Sequence, residues 1–124
     1  NEDGVGSTNS ITLTFADGAT AMLHSSTLVI SDRKGMIYGD QGYIEVENIN
    51  NCQGFKVYDT HYQLVKEYPV PSQISGYEYE VEACKKAIED AMSERPEMPH
   101  RESIRMMELM DTIRKEWGLR YPME

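Results

Sequence analysis

Histidine, cysteine and carboxylate side chains are the usual carriers of protons, nucleophilic attack and metals, and here they are scattered rather than grouped. His24, His61 and His100 have no second histidine or cysteine two to four residues on, whereas a metal needs three or four converging donors and usually a close-spaced pair. Cys52 sits in a polar loop with no partner base, and Cys84 falls on an apolar helical stripe where it reads as a small core residue. Glu78, Glu80 and Glu82 open a helix, a position where carboxylates favour the positive end of the dipole, so they read as a solvated face and not as an acid/base pair. Gly4-Val5-Gly6 is a partial phosphate-loop fingerprint without a strand before it or a helix after it, and Gly35 to Gly42 is flanked by strands, which makes it a hairpin turn. Met98, Met106, Met107 and Met110 recur at helical spacing, the pattern of core filling. Tyr77 and Tyr79 stand where the strands end and the first helix begins. A tyrosine there either aims its hydroxyl into a cleft or packs and bonds to backbone.

Those side chains must be positioned by the elements the hydrophobic pattern sets. Ile11, Leu13 and Phe15 alternate with threonines, the period of a half-buried strand, and Asp17-Gly18 turns the chain into a returning strand from Ala19 to Ser26. Lys34–Tyr38 and Tyr43–Glu47 form a second pair, and Phe55–Tyr58 and Leu64–Tyr68 a third. Strands with no helical spacers between them predict one antiparallel meander. Beyond Pro69 and Pro71 the period changes: Tyr77, Val81, Cys84, Ile88 and Met92 lie on one face of a helix. A second helix follows Pro99, with the stripe Ile104, Met107, Leu109, Met110, Ile113 and Trp117, a C-cap at Gly118 and a stop at Pro122. The predicted fold class is α+β: an open, largely antiparallel sheet with two C-terminal helices packed on one face. Residues 1–10 read as a flexible polar segment, as a piece of a longer polypeptide would begin, and 11–124 as a single domain.

Composition narrows the function classes. The chain has 124 residues, 40% of them hydrophobic and 27% charged, enough for one domain with a core of its own. A formal charge of -9, spread over both halves without a basic patch, argues against nucleic acid and anionic membranes as partners. Two cysteines without a CxxC pair fit a reducing, cytoplasmic protein, and no apolar run approaches the ~20 residues that cross a bilayer.

The order of motifs carries a resemblance. Gly76-Tyr77-Glu78-Tyr79-Glu80-Val81-Glu82-Ala83-Cys84 is followed by Glu94-Arg95-Pro96-Glu97-Met98-Pro99, Glu102-Ser103, Met110-Asp111-Thr112-Ile113-Arg114 and Trp117-Gly118-Leu119-Arg120-Tyr121-Pro122. That series resembles the C-terminal end of the Gfo/Idh/MocA oxidoreductases, most closely the dihydrodiol dehydrogenase-like branch. Phe15-Ala16-Asp17-Gly18-Ala19 and Ile37-Tyr38-Gly39-Asp40-Gln41-Gly42-Tyr43-Ile44 are similar to the family's strand-turn-strand signatures. The resemblance implies a C-terminal domain that supplies substrate contacts and an oligomer interface, at least a dimer through the open sheet face. It also implies an N-terminal Rossmann domain, absent from this sequence, that binds NAD or NADP. The family's dinucleotide fingerprint, its Glu-Lys-Pro motif and its proton-transfer pair match nothing here, so the chain by itself is expected to hold no cofactor and no catalytic residue. Tyr77 matches the tyrosine that approaches substrate in inositol dehydrogenase-like members.

Two further readings stay open. The chain could instead be a stand-alone binding or assembly module with the same fold. Trp117 is either an anchor that continues the Met110–Ile113 register into the domain or a stacking platform for a sugar ring.

Overall fold

The computed structural model describes residues 7–121. Six strands come first, β1 (Thr8–Thr14), β2 (Thr20–Ser26), β3 (Gly35–Gly39), β4 (Gly42–Val46), β5 (Gly54–Asp59) and β6 (Leu64–Pro69), then two helices, α1 (Tyr77–Glu89) and α2 (His100–Glu116). All strand pairings are antiparallel and the helices are C-terminal, so the chain is α+β in the order its hydrophobic periods predict. The Gly4-Val5-Gly6 loop and the Pro122 stop lie outside the described residues. β1 begins at Thr8, three residues earlier than the alternation at Ile11 indicates.

The single meander is corrected to two sheets, a β1-β2 hairpin and a four-stranded β3-β4-β5-β6 meander. The link between them explains the break. Ser26 Oγ accepts from the Leu28 amide, Ser31 Oγ from Arg33 and Asp32 Oδ1 from Lys34. Such local side-chain acceptors satisfy backbone donors that a continuous ladder would have used. The described residues fall into two compact units, one of residues 7–30 and 94–121, the other Ser31–Ser93.

In the first unit, the hairpin turns at Asp17, whose Oδ1 accepts from the Ala19 amide at 3.0 Å, and Gly18 takes the left-handed φ of 89°. Ile11 faces Leu23 and Leu13 faces Ala21 on one side, while Thr12 faces Met22 on the other. α2 starts one residue later than Pro99, which serves as its N-cap, and the His100 amide donates to Glu94 Oε2 at 2.7 Å. Its far end is as the sequence indicates. Gly118 adopts φ 66° and donates to Lys115 O, and Leu119 donates to Arg114 O, the paired bonds of a Schellman cap.

In the second unit, register sorts the sheet into two unlike faces. Ile37, Ile44 and Val57 align across β3, β4 and β5, with Val46, Phe55 and Tyr68 aligned beside them, and the Phe55 and Tyr68 rings stack at 4.5 Å. The opposite face carries Tyr38, Tyr43 and Tyr58 in one row and Glu45, Lys56 and Glu67 in the next. Lys56 Nζ lies 3.5 Å from Glu47 and 3.7 Å from Glu67. α1 is not laid over either face: the element contacts of this unit run from β3 to β4 to β5 to β6. The stripe of α1 therefore stays open, with Tyr77, Val81 and Ile88 exposed, and Cys84, read from its spacing as a core residue, is exposed too. In the first unit α2 likewise makes no element contact with β1 or β2, and Met107, Met110 and Trp117 are exposed. Ala87 is the only hydrophobic residue counted as buried among the described residues. The periodicities that choose helix and strand are thus satisfied locally, while the apolar faces they create are largely uncovered. No helix among the described residues is long and apolar enough to cross a membrane.

Candidate functional site

Tyr77 is the first residue of α1, and the structure places it at the exposed end of a tightly built helix entry. Gly76, the N-cap, offers no side chain, and the amides of the segment leading into the helix are met by a carboxylate reaching backwards from its first turn. Glu78 accepts from the Ile74, Ser75 and Gly76 amides and from the Ser75 hydroxyl. Its pKa falls from 4.5 to about 2, first through its own amide and then through Ile74, with burial opposing and the Ser75 amide and hydroxyl adding less. Asn51, from the β4-β5 loop, donates from Nδ2 to Ser75 O at 3.4 Å and ties that loop to the helix entry.

The two junction tyrosines separate in role. Tyr79 Oη donates to Ser72 O at 2.7 Å, the backbone-bonded arrangement considered for both. Tyr77 is held through its amide, which donates to Ser75 Oγ at 3.4 Å, and the residue is 69% exposed. A ring fixed at its base and free at its tip can stack on or hydrogen-bond to a ligand.

The remaining sequence candidates stay apart. His24 Nδ1 pairs with Ser10 Oγ across the hairpin at 3.1 Å, His61 lies in the β5-β6 turn, and His100 opens α2 beside Glu94. No group of three metal-ligating side chains converges among the described residues. Cys52 Sγ lies 3.5 Å from Gly54 O, with no base beside it in the hydrogen-bond pattern. Trp117 caps α2 and is half exposed.

The structure assembles a second constellation that no sequence motif announces. Tyr38 opposes Tyr43 across the two-residue Asp40-Gln41 turn, and Tyr43 opposes Tyr58 in the next register. The ring centroids of Tyr43 and Tyr58 are 4.7 Å apart and nearly parallel, with an interplanar angle of 9°. Tyr38 stands 6.2 Å from Tyr43 at 40°, and Tyr62, from the β5-β6 turn, 6.3 Å away at 56°. Gly42 makes this end of the sheet possible: with φ 144°, a Cβ there would lie 2.0 Å from Tyr58 O, so only glycine lets β4 and β5 approach. Tyr38, Tyr43 and Tyr62, with Met36, Asp59 and Thr60, line a depression of about 480 Å³. Asp59 Oδ1 accepts from the Gln63 amide at 2.9 Å and the His61 amide at 2.8 Å, and these bonds, Gln63 first, hold its carboxyl below the usual range. Partial burial, then Tyr58, pushes the Tyr43 phenol above its ordinary value, so it stays neutral. The signal in the sequence is positional: the tyrosines flank turns at distances that antiparallel pairing brings to one face. No protein-family model, no curated protein and no solved structure matches this chain.

Proposed function

We propose that the chain is the substrate-pocket and oligomerisation part of an NAD- or NADP-dependent oxidoreductase of the Gfo/Idh/MocA type, acting on a sugar, polyol or related compound. The observation that carries the assembly half is the apolar face of the four-stranded sheet, where Ile37, Ile44 and Val57 align without a helix of the same unit across them. A face of that kind in water is a contact surface in waiting. In this reading a second copy of the chain meets it, and a Rossmann domain elsewhere in the parent polypeptide binds the dinucleotide and supplies the proton-transfer groups. The chemical half rests on the order of motifs from Gly76 to Tyr121 and on Tyr77, whose exposed ring would form one wall of the substrate pocket.

The test uses the parent polypeptide, assayed for reduction of NAD or NADP with a panel of sugars and polyols. The proposal expects dinucleotide-linked oxidation of at least one of them. It also expects Tyr77→Phe to raise KM by about tenfold, the effect of one lost hydrogen bond of roughly 1.4 kcal/mol, without lowering the melting temperature. No dinucleotide-linked turnover with any of them would contradict it.

A further inference from the structure

The β5-β6 turn spends conformational energy in a place where the same chain shows how to avoid it. In the β1-β2 turn the Phe15 amide donates to Ala19 O, the Gly18 amide donates to Phe15 O, and Gly18 takes the left-handed conformation. In the β5-β6 turn the Asp59 amide donates to Gln63 O and the Tyr62 amide donates to Asp59 O, so Tyr62 occupies the position of Gly18, with φ 61°. The two turns share one hydrogen-bond plan, a tight turn closed by a left-handed residue, for which glycine is the usual choice. A bulky side chain there is strained, and such strain persists where something else requires the side chain. What the Tyr62 backbone delivers is a ring tilted against Tyr43, on a residue 79% exposed, at the rim of the depression that Tyr38 also lines.

The chemistry of that depression selects its ligand. Aromatic faces are negative, and several rings tilted around one space attract a cation more strongly than a single flat platform does. Asp59 adds a full negative charge, and the His61 and Gln63 amides both donate to its Oδ1. Lysine and arginine are missing from the lining residues, and the chain as a whole carries -9. Met36 and the tyrosine rings give the space apolar walls suited to methyl groups. A cation bearing its own anionic group would set that group near Asp59 with no basic lining residue to neutralise it. We propose that this tyrosine-lined depression binds a small quaternary ammonium alcohol of the choline type. The site is independent of the apolar sheet face and of Tyr77.

Titration of the chain with choline chloride, followed by NMR of the tyrosine ring resonances, tests it. Saturable shifts at Tyr38, Tyr43 and Tyr62 are expected. The neutral isostere 3,3-dimethylbutanol, which keeps the shape and removes the charge, should bind at least about tenfold more weakly, and phosphocholine should also bind more weakly than choline. Tyr62→Gly should lose choline affinity by about tenfold or more while melting no lower than the wild type, because glycine relieves the left-handed strain; Tyr62→Phe should keep the affinity. The inference is overturned by an absence of choline shifts, by equal binding of the isostere, or by phosphocholine or methyl glucoside binding more tightly than choline. A Tyr62→Gly chain that melts lower and binds choline as the wild type does would also overturn it, since the ring would then be held for packing alone.

Discussion

Glu78 shows how one side chain can fix the entry to a helix. Its carboxylate gathers the Ile74, Ser75 and Gly76 amides that lead into α1, and it does so as an anion. A carboxyl whose folded pKa lies below its unfolded value stabilises the fold fully above the unfolded value and loses that contribution as pH falls through the folded one. For Glu78 the window runs from 4.5 down to about 2. The wild type should therefore melt above Glu78→Gln at neutral pH, and the gap, followed by circular dichroism, should close as pH is lowered through that window. A gap that stays constant would mean that charge plays no part in holding the helix entry. This carboxylate is legible in the sequence only as an acidic residue in a first turn. Its backward reach depends on the path of Ile74 and Ser75, which no periodicity encodes. Tyr62 was hidden for a related reason, since a left-handed tyrosine departs from the rule that puts glycine in such turns.

At the scale of elements, the strands and helices follow from alternation and from the three-to-four spacing, and Gly118 ends α2 in the manner its identity indicates. α1 ends differently. Its stripe, extended to Met92 by spacing, closes at Glu89, because Ala91 turns left-handed at φ 53°. Ala91 then donates to Ile88 O and Met92 donates to Ala87 O, the same Schellman pattern as in α2 but with alanine at the glycine position. Left-handed alanine costs about 1–2 kcal/mol, offset in part by the smaller chain entropy that alanine loses on folding. Ala91→Gly should thus raise stability by about 0.5–1 kcal/mol in urea unfolding, and a decrease would show that the Ala91 methyl group is packed. The sequence conceals this stop because alanine is the strongest helix former. It conceals the split of the meander as well, because the serine and aspartate acceptors between β2 and β3 look like any polar link.

For the whole molecule, the apolar stripes and faces are where the sequence patterns place them, and the described chain leaves most of them uncovered. Periodicity reports which side of an element is apolar and is silent on what covers it. That gap is where the reading of this chain as an assembling part takes its weight. A sheet-to-sheet dimer through Ile37, Ile44 and Val57 should bury at least about 1,000 Å², the area of a specific interface. Sedimentation equilibrium of the purified chain at micromolar concentration measures this most directly, with Ile44→Lys as the control that places one charge at the centre of the face. The wild type is expected to be a dimer and Ile44→Lys a folded monomer; a wild-type monomer, or a dimer indifferent to Ile44→Lys, would overturn the sheet-to-sheet assembly.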